Sequence, residues 1–498
     1  MAFGRAYARL LKLAREQVVT KPAQESSYPN LAEHGYADIE LGTAEGLIAA
    51  ERAELLERKA QLEACECREG MFPNPAVQSR RSLLFAAGTL TGAAMAAGSW
   101  RAHAEAAKAP PGAVLRDVPP DPTKVPGEET NADGGYGSRS QFESEVRSRF
   151  ATPQKISSWT LTPLDKSLGT ITPSGLHFER HHGGIPTIDP ARHALFVHGL
   201  VERPKKFSVA DIKRFPAMSR TCFIECSGNG LTEWKVPTLK TVQGTHGLLS
   251  TSEWTGVRFS TLAREIGLKP GAQWVLAEGA DSAVMTRSIP LEKLLSDGFI
   301  AYGQNGEALR PEQGYPLRLV LPGWEGNTMI KWLRRLEVSD KPFMTREETS
   351  KYTDLMKDGS ARQFTFTMEA KSVITFPSGE MKLPGPGFYE VTGLAWTGRG
   401  KVERVEVSSD GGKTWALAAL QDPIQSLSTV RFRFPWMWDG KACVLQSRCT
   451  DETGYIQPTL KQLVDIRGAN GKFGSFYHLN AIFSWGIAAD GSVSNVQV

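Results

Sequence analysis

Between residues 157 and 340, short apolar runs alternate with turns rich in Gly and Pro. Runs 207–215 and 258–266 predict short helices, and 274–277, 317–321 and 336–338 predict strands. This is an α+β pattern rather than a regular βαβ array. From 365 to about 465 nearly every segment reads as a strand: 391–396, 402–408, 430–434 and 442–448 are separated by turn residues. Asp410-Gly411-Gly412 between two of these runs is a hairpin signal. The spacing predicts an all-β, Ig-like sandwich of about 100 residues. A charged connector (345–361) separates the two blocks, and the tail from 473 to 486 is aromatic.

The N-terminal part reads differently. Leu47, Ile48, Leu55, Leu56 and Leu62 predict an amphipathic helix over 44–64. Further on, Ser79-Arg80-Arg81-Ser82-Leu83-Leu84-Phe85 leads a twin-arginine pair into an apolar stretch of small residues that ends at Ala102-His103-Ala104. Charged, apolar and small regions in that order predict an export signal, and the stretch is short of the ~20 residues that span a bilayer. Met71 would place the arginines near an ordinary N-terminus, which makes residues 1–70 an extension or a mis-assigned start. The Pro-, Gly-, Ala- and Asp-rich stretch from 105 to about 140 reads as a linker. The expected organisation is therefore 1–70 extension, 71–104 twin-arginine signal, 105–156 arm, 157–344 α+β domain, 345–364 connector, 365–470 sandwich and 471–498 tail.

Composition narrows the class. The chain has 498 residues, 41% hydrophobic and 22% charged, with a net charge of +4. That is globular, large enough for several domains, and without the basic footprint of a nucleic-acid binder. A channel, transporter or fibre is excluded on the same grounds. Six cysteines are too few for a disulfide scaffold, and no Cys-x-x-Cys-His occurs, so no c-type haem is expected on this chain. Cys443 and Cys449 sit six residues apart in a strand-like run, ~20 Å against the ~5.5 Å of a bridge.

The chemistry centres on Thr221-Cys222-Phe223-Ile224-Glu225-Cys226-Ser227-Gly228-Asn229-Gly230, a strand-like run entering a Gly-rich turn. A cysteine there presents sulfur to a cavity, and a thiolate suits a soft metal. On spacing alone, a buried inert thiol is the commoner role. Zinc has no second ligand pair of the usual spacing.

Cys226-Ser227-Gly228-Asn229 resembles the cysteine motif of the sulfite oxidase family of molybdopterin enzymes. The resemblance continues through Phe178-Glu179-Arg180-His181-His182, Glu278-Gly279-Ala280-Asp281, Ala301-Tyr302-Gly303-Gln304-Asn305-Gly306, Gly314-Tyr315-Pro316-Leu317-Arg318 and Ile330-Lys331-Trp332. In the β block it includes Asp410-Gly411-Gly412-Lys413-Thr414-Trp415 and Ile456-Gln457-Pro458. It covers about residues 160–465 and implies a molybdopterin-binding domain followed by an Ig-like dimerisation domain. Within the family, Phe223-Ile224-Glu225-Cys226, the leader, and Tyr477-His478 with Asn480-Ala481-Ile482 look most like the sulfane dehydrogenase subunits of periplasmic sulfur-oxidising (Sox) systems.

The resemblance implies Cys226 as metal ligand. It implies Arg180, Tyr302 and Arg431 beside the reacting centre, with a planar guanidinium fork suited to an anionic sulfur substrate. It implies Phe178, Arg180, His182, Cys226, Asp281, Gln313, Arg318, Met329, Ile330 and Lys331 around a molybdenum–molybdopterin cofactor. Phe178, Met329 and Ile330 are expected to act mainly through their backbone. His181 stands where the family usually has Asn, and Gln313 where it has His. Leu231 and Gly244 stand where it often has Arg and Trp, which implies a less cationic, roomier pocket. The implied activity is oxidation of sulfane sulfur held on a sulfur-carrier protein, with electrons passed to a c-type cytochrome subunit of the SoxD kind. A homodimer or heterotetramer in the periplasm is expected. A free-sulfite dehydrogenase is the enzymatic alternative, and a cofactor-free scaffold subunit the non-enzymatic one.

Overall fold

The computed structural model describes residues 136–150, 156–234, 237–356, 358–468 and 478–497. The helix expected over 44–64, the export signal and Tyr477 lie outside the described residues. Among the described residues no helix is long and apolar enough to cross a membrane.

Two five-stranded sheets frame the α+β domain. One has the order Lys205–Ser208, Ala194–Gly199, Leu333–Ser339, Trp274–Gly279, Thr286–Pro290. It is mixed: Leu333–Ser339 runs parallel to Ala194–Gly199 and antiparallel to Trp274–Gly279. The other places Glu307–Ala308, Phe299–Gln304, Leu249–Arg258 and Met218–Glu225 side by side, with Arg318–Val320 also on Phe299–Gln304. The two expected helices form where periodicity puts them. Phe259–Ile266 buries Phe259, Leu262, Ala263 and Ile266, one face of a 3.6-residue period. Val209–Arg214 starts at a capping box between Ser208 and Asp211.

The sandwich follows. Its four-stranded sheet is Lys371–Phe376, Gly387–Trp396, Val430–Trp438 and Ala419–Gln421. Its five-stranded sheet is Ala416–Leu417, Val402–Ser408, Cys443–Asp451, Ser484–Ile487 and Val493–Val496. Every pairing within both is antiparallel. Val373, Val391, Trp396, Val405, Phe432, Leu445 and Trp485 fill the space between, and burying side chains of this size is worth ~1.5–3 kcal/mol each.

Two boundaries differ from the expected ones. The sandwich continues past 470, because Trp485 and Ile487 alternate into its core while their strand pairs with Cys443–Asp451. The arm is not wholly a linker: Ser148–Phe150 joins a small sheet with Trp159–Leu161 and Glu179–Arg180.

The strand Met218–Glu225 belongs to both domains. Cys222 and Ile224 pack in the α+β core, whereas Phe223 packs in the sandwich core. Side chains alternate with a period of two, so Glu225 follows Phe223 toward the sandwich and Cys226 follows Ile224 toward the α+β side.

Candidate active site

Cys226 opens into a cavity with about 670 Å³ of empty space, counting the solvent at its mouth. The cysteine turn shapes one wall. Asn229 N donates to Cys226 O at 2.9 Å, Leu231 N donates to Gly228 O at 3.1 Å, and Gly230 takes the left-handed φ of +84° that closes the turn. Ser227 Oγ accepts from Asn327 Nδ2 at 2.8 Å, and Ser227 O accepts from His478 N at 2.6 Å. Burial pushes the Cys226 thiol up.

Among the lining residues three are cationic, Arg180, Arg318 and Lys331, against the single carboxylate of Asp281. Arg318 is 4% exposed and lies over the Trp254 ring at 5.1 Å. Its Nη1 donates to Gln313 O and Oε1, both at 3.1 Å, but its Nε has no partner. Burial pulls this guanidinium down to about 9, which leaves it charged at neutral pH. The Lys331 ammonium donates to His181 Nδ1 at 2.9 Å, and to Arg180 O and Glu312 O at 3.1 Å each. His181 in turn donates from Nε2 to Glu179 Oε2 at 2.7 Å, which fixes its neutral tautomer. Glu179 also pairs with Arg147 of the arm. Arg180 lies over the Trp159 ring at 5.4 Å.

The cavity gathers all ten residues expected around the cofactor: Phe178, Arg180, His182, Cys226, Asp281, Gln313, Arg318, Met329, Ile330 and Lys331. The backbone of three of these is already engaged. Met329 N and Ile330 N close a turn on Gly326 O and Thr328 O. Phe178 N donates to Ser250 Oγ and Phe178 O accepts from Gln313 Nε2.

Two residues expected beside the reacting centre do not line it. Tyr302 sits at a bulge in Phe299–Gln304, between Ala301 and Gly303, and Lys213 Nζ lies 5.7 Å from its ring. A bulge re-aims a side chain, which a motif match cannot register. Arg431 donates from Nε to Gly169 O at 2.8 Å and from Nη2 to Ser167 O, and lines a separate, smaller cavity with Thr172, Ser250 and Thr429. Leu231 and Gly244 also lie outside the lining of the main cavity.

Sequence reasoning missed other walls. His177, Asn327, Trp332 and Tyr352 line the cavity. Tyr352 comes from the connector, whose π-helical turn Glu347–Lys351 packs inward rather than linking domains loosely. Glu348, on that turn, forms a fully buried ion pair with Arg287 at 2.7 Å.

The histidines give a pH prediction. Burial pulls His177 and His182 down to about 3 and His181 to about 4. Each stays neutral in the fold where the unfolded imidazole, ordinarily at 6.5, takes a proton. The stability they contribute is therefore complete above pH 6.5 and is lost as the pH falls. The thermal midpoint is expected to drop between pH 7 and pH 5. In a His177→Asn variant the drop is expected to be shallower, by roughly 2 kcal/mol at 1.36 kcal/mol per pH unit below the ordinary value. Calorimetry across that range checks it; parallel slopes would contradict it.

Comparisons with known proteins agree with one another. The family model described as "Oxidoreductase molybdopterin binding domain" matches residues 182–347, and "Mo-co oxidoreductase dimerisation domain" matches 362–483. A chain in the crystal structure of the sulfane dehydrogenase SoxCD from Paracoccus pantotrophus is 45% identical, with 76% of this chain and 99% of that one covered at a TM-score of 0.71. The NADH nitrate reductase of Ulva prolifera is 34% identical over 280 residues, 50% of this chain and 32% of the reductase. The NAD(P)H nitrate reductase of Hordeum vulgare is 31% identical over 310 residues, 55% and 34% respectively. The chain thus spans about a third of the length of the curated relatives it matches. The donor set fits a pterin-bound soft metal: one thiol opens into the cavity, and a buried guanidinium with an unpartnered Nε faces it without a carboxylate of its own.

Proposed function

Because this chain belongs to the sulfite oxidase family of molybdopterin oxidoreductases, we propose that it is the molybdenum subunit of a sulfane dehydrogenase. In this reading it oxidises sulfane sulfur carried on a partner protein's cysteine and passes electrons to a c-type cytochrome subunit. The observation that carries the reading is the 45% identity to a SoxCD chain along 99% of that chain's length. The twin-arginine run at Ser79–Phe85 supports export to the periplasm in a folded state. The sandwich would serve a homodimer or a heterotetramer with the cytochrome subunit.

When bound, the molybdenum–pterin group supplies two-electron redox chemistry and oxygen transfer to sulfur. For each oxygen added, sulfur gives up two electrons, and water supplies the oxygen and releases two protons. The electrons leave singly to the one-electron acceptor. Cys226 would hold the metal through its thiolate, because coordination overcomes the burial that otherwise keeps it a thiol. Arg318 and Lys331 would neutralise the pterin phosphate, with the otherwise unpartnered Arg318 Nε supplying a donor. His181 orients the Lys331 ammonium by accepting from it while donating to Glu179. Arg180 adds a cation that attracts anionic sulfur into the cavity.

The same cations suit free sulfite, so substrate choice is the test. With the purified protein and its cytochrome partner, sulfane sulfur on a carrier thiol is expected to drive cytochrome c reduction at least about tenfold faster than equimolar sulfite. Fast oxidation of free sulfite without stimulation by the carrier would overturn the sulfane reading in favour of a sulfite dehydrogenase.

A further inference from the structure

The residue before Cys226 turns away from the cavity and into the second domain. Glu225 is fully buried, and its carboxylate is satisfied by three donors. Oε1 accepts from Lys371 Nζ at 3.0 Å and from Asn229 Nδ2 at 2.9 Å; Oε2 accepts from Trp396 Nε1 at 2.6 Å. Lys371 and Trp396 both come from the sandwich, on Lys371–Phe376 and Gly387–Trp396. Lys371, 1% exposed, also donates to Asn229 O at 3.2 Å. One ammonium therefore holds both ends of the turn 225–229, and Cys226 lies within the loop so closed. Asn229 Oδ1 extends the network by accepting from Leu248 N at 3.1 Å.

From this geometry we infer that Lys371 is a positioning residue for Cys226: the second domain sets the pose of the sulfur through a buried Lys371–Glu225–Asn229 clamp. The inference rests on the reading of Cys226 as metal ligand, but its geometric part stands apart from that reading. A buried ion pair is weak evidence for stability, since well-packed neutral residues often replace one without loss, whereas breaking one partner strands a charge. The position of this pair gives it a further role. It ties the two ends of a turn that the backbone alone closes with the single bond from Asn229 N to Cys226 O. Residues that orient a metal ligand typically change metal affinity 10–100-fold when replaced.

The test compares full-length wild type, Lys371→Met, and the Glu225→Gln/Lys371→Met double variant, which removes the clamp without leaving an unpaired charge. Three readouts are taken: the thermal midpoint, molybdenum and pterin per chain with the Mo(V) electron paramagnetic resonance g-values, and maleimide labelling of cofactor-free protein mapped by mass spectrometry. In the double variant, Cys226 is expected to label roughly tenfold faster than in wild type while the half-buried Cys443 labels at the wild-type rate. Molybdenum content is expected to fall and the g-values to shift. A merely structural pair would move the midpoint and both thiols together. Lys371→Met alone is expected to lose more, in every readout, than the double variant. A double variant that labels at the wild-type rate and keeps full molybdenum with unchanged g-values overturns the inference. If wild type itself holds no molybdenum, the ligand reading fails, and the labelling arm still decides the clamp.

Discussion

Cys226→Ala is expected to yield a folded protein that has lost its metal and its turnover. The side chain is small, follows directly on a strand and faces a cavity on one side, so its removal deletes only a sulfur's contact with the α+β core. Stability is expected to fall by only about 1 kcal/mol, the centre of the range for single substitutions. Activity is a different matter. If the thiolate contributes even ~4 kcal/mol to holding and tuning the reacting centre, its loss lowers turnover roughly 10³-fold. Metal analysis, turnover and a thermal melt on the same preparation check all three parts. Retained turnover within tenfold of wild type would remove Cys226 from the role assigned to it.

Arg287→Met is expected to destabilise the fold by ~3–5 kcal/mol, because it strands a fully buried carboxylate. Arg287 donates to Glu348 from Nε at 2.7 Å and from Nη2 at 3.3 Å, lies 4.9 Å from the Tyr352 ring, and donates from Nη1 to Asn327 Oδ1. Without it, Glu348 keeps Ser288 N at 2.8 Å but loses its cation. For a protein of this size that corresponds to a fall of roughly 3–5 °C in the thermal midpoint. An Arg287→Met/Glu348→Gln pair is expected to recover much of it, since neither charge is then left alone. The effect reaches the site through Asn327, which bridges Arg287 and Ser227 Oγ, next to Cys226. Cofactor content is therefore expected to fall with stability. An unchanged midpoint would contradict the account of the connector as a packed wall.

Much of the architecture is legible along the chain, because local periodicity carries it. Leu262, Ala263 and Ile266 announce a helix, and the alternation through 391–396 and 402–408 announces a sandwich. The cavity's cofactor-side lining is legible through motifs, since each motif brings a contiguous piece of wall. What stays hidden depends on distant partners. Lys371 reads as one more strand lysine until its strand is packed against the cysteine turn, and Arg287 gains meaning only once Glu348 is folded onto it. Tyr352 hides in a connector whose charged composition suggests solvent. Tyr302 and Arg431 sit in matching motifs but outside the lining of the main cavity, Tyr302 at a strand bulge and Arg431 on two backbone carbonyls, and a motif shows neither placement. The last two strands are short, and nothing along the chain shows that Cys443–Asp451 has a free edge for Ser484–Ile487 and, beyond it, Val493–Val496.

The most direct measurement is the molybdenum and pterin content of the purified chain, expressed in a host that makes the cofactor and exports folded proteins. The account predicts one molybdenum and one pterin per chain, both lost in Cys226→Ala. A stable, folded wild-type chain carrying neither would contradict it, and would leave the cavity as the relic of a scaffold subunit.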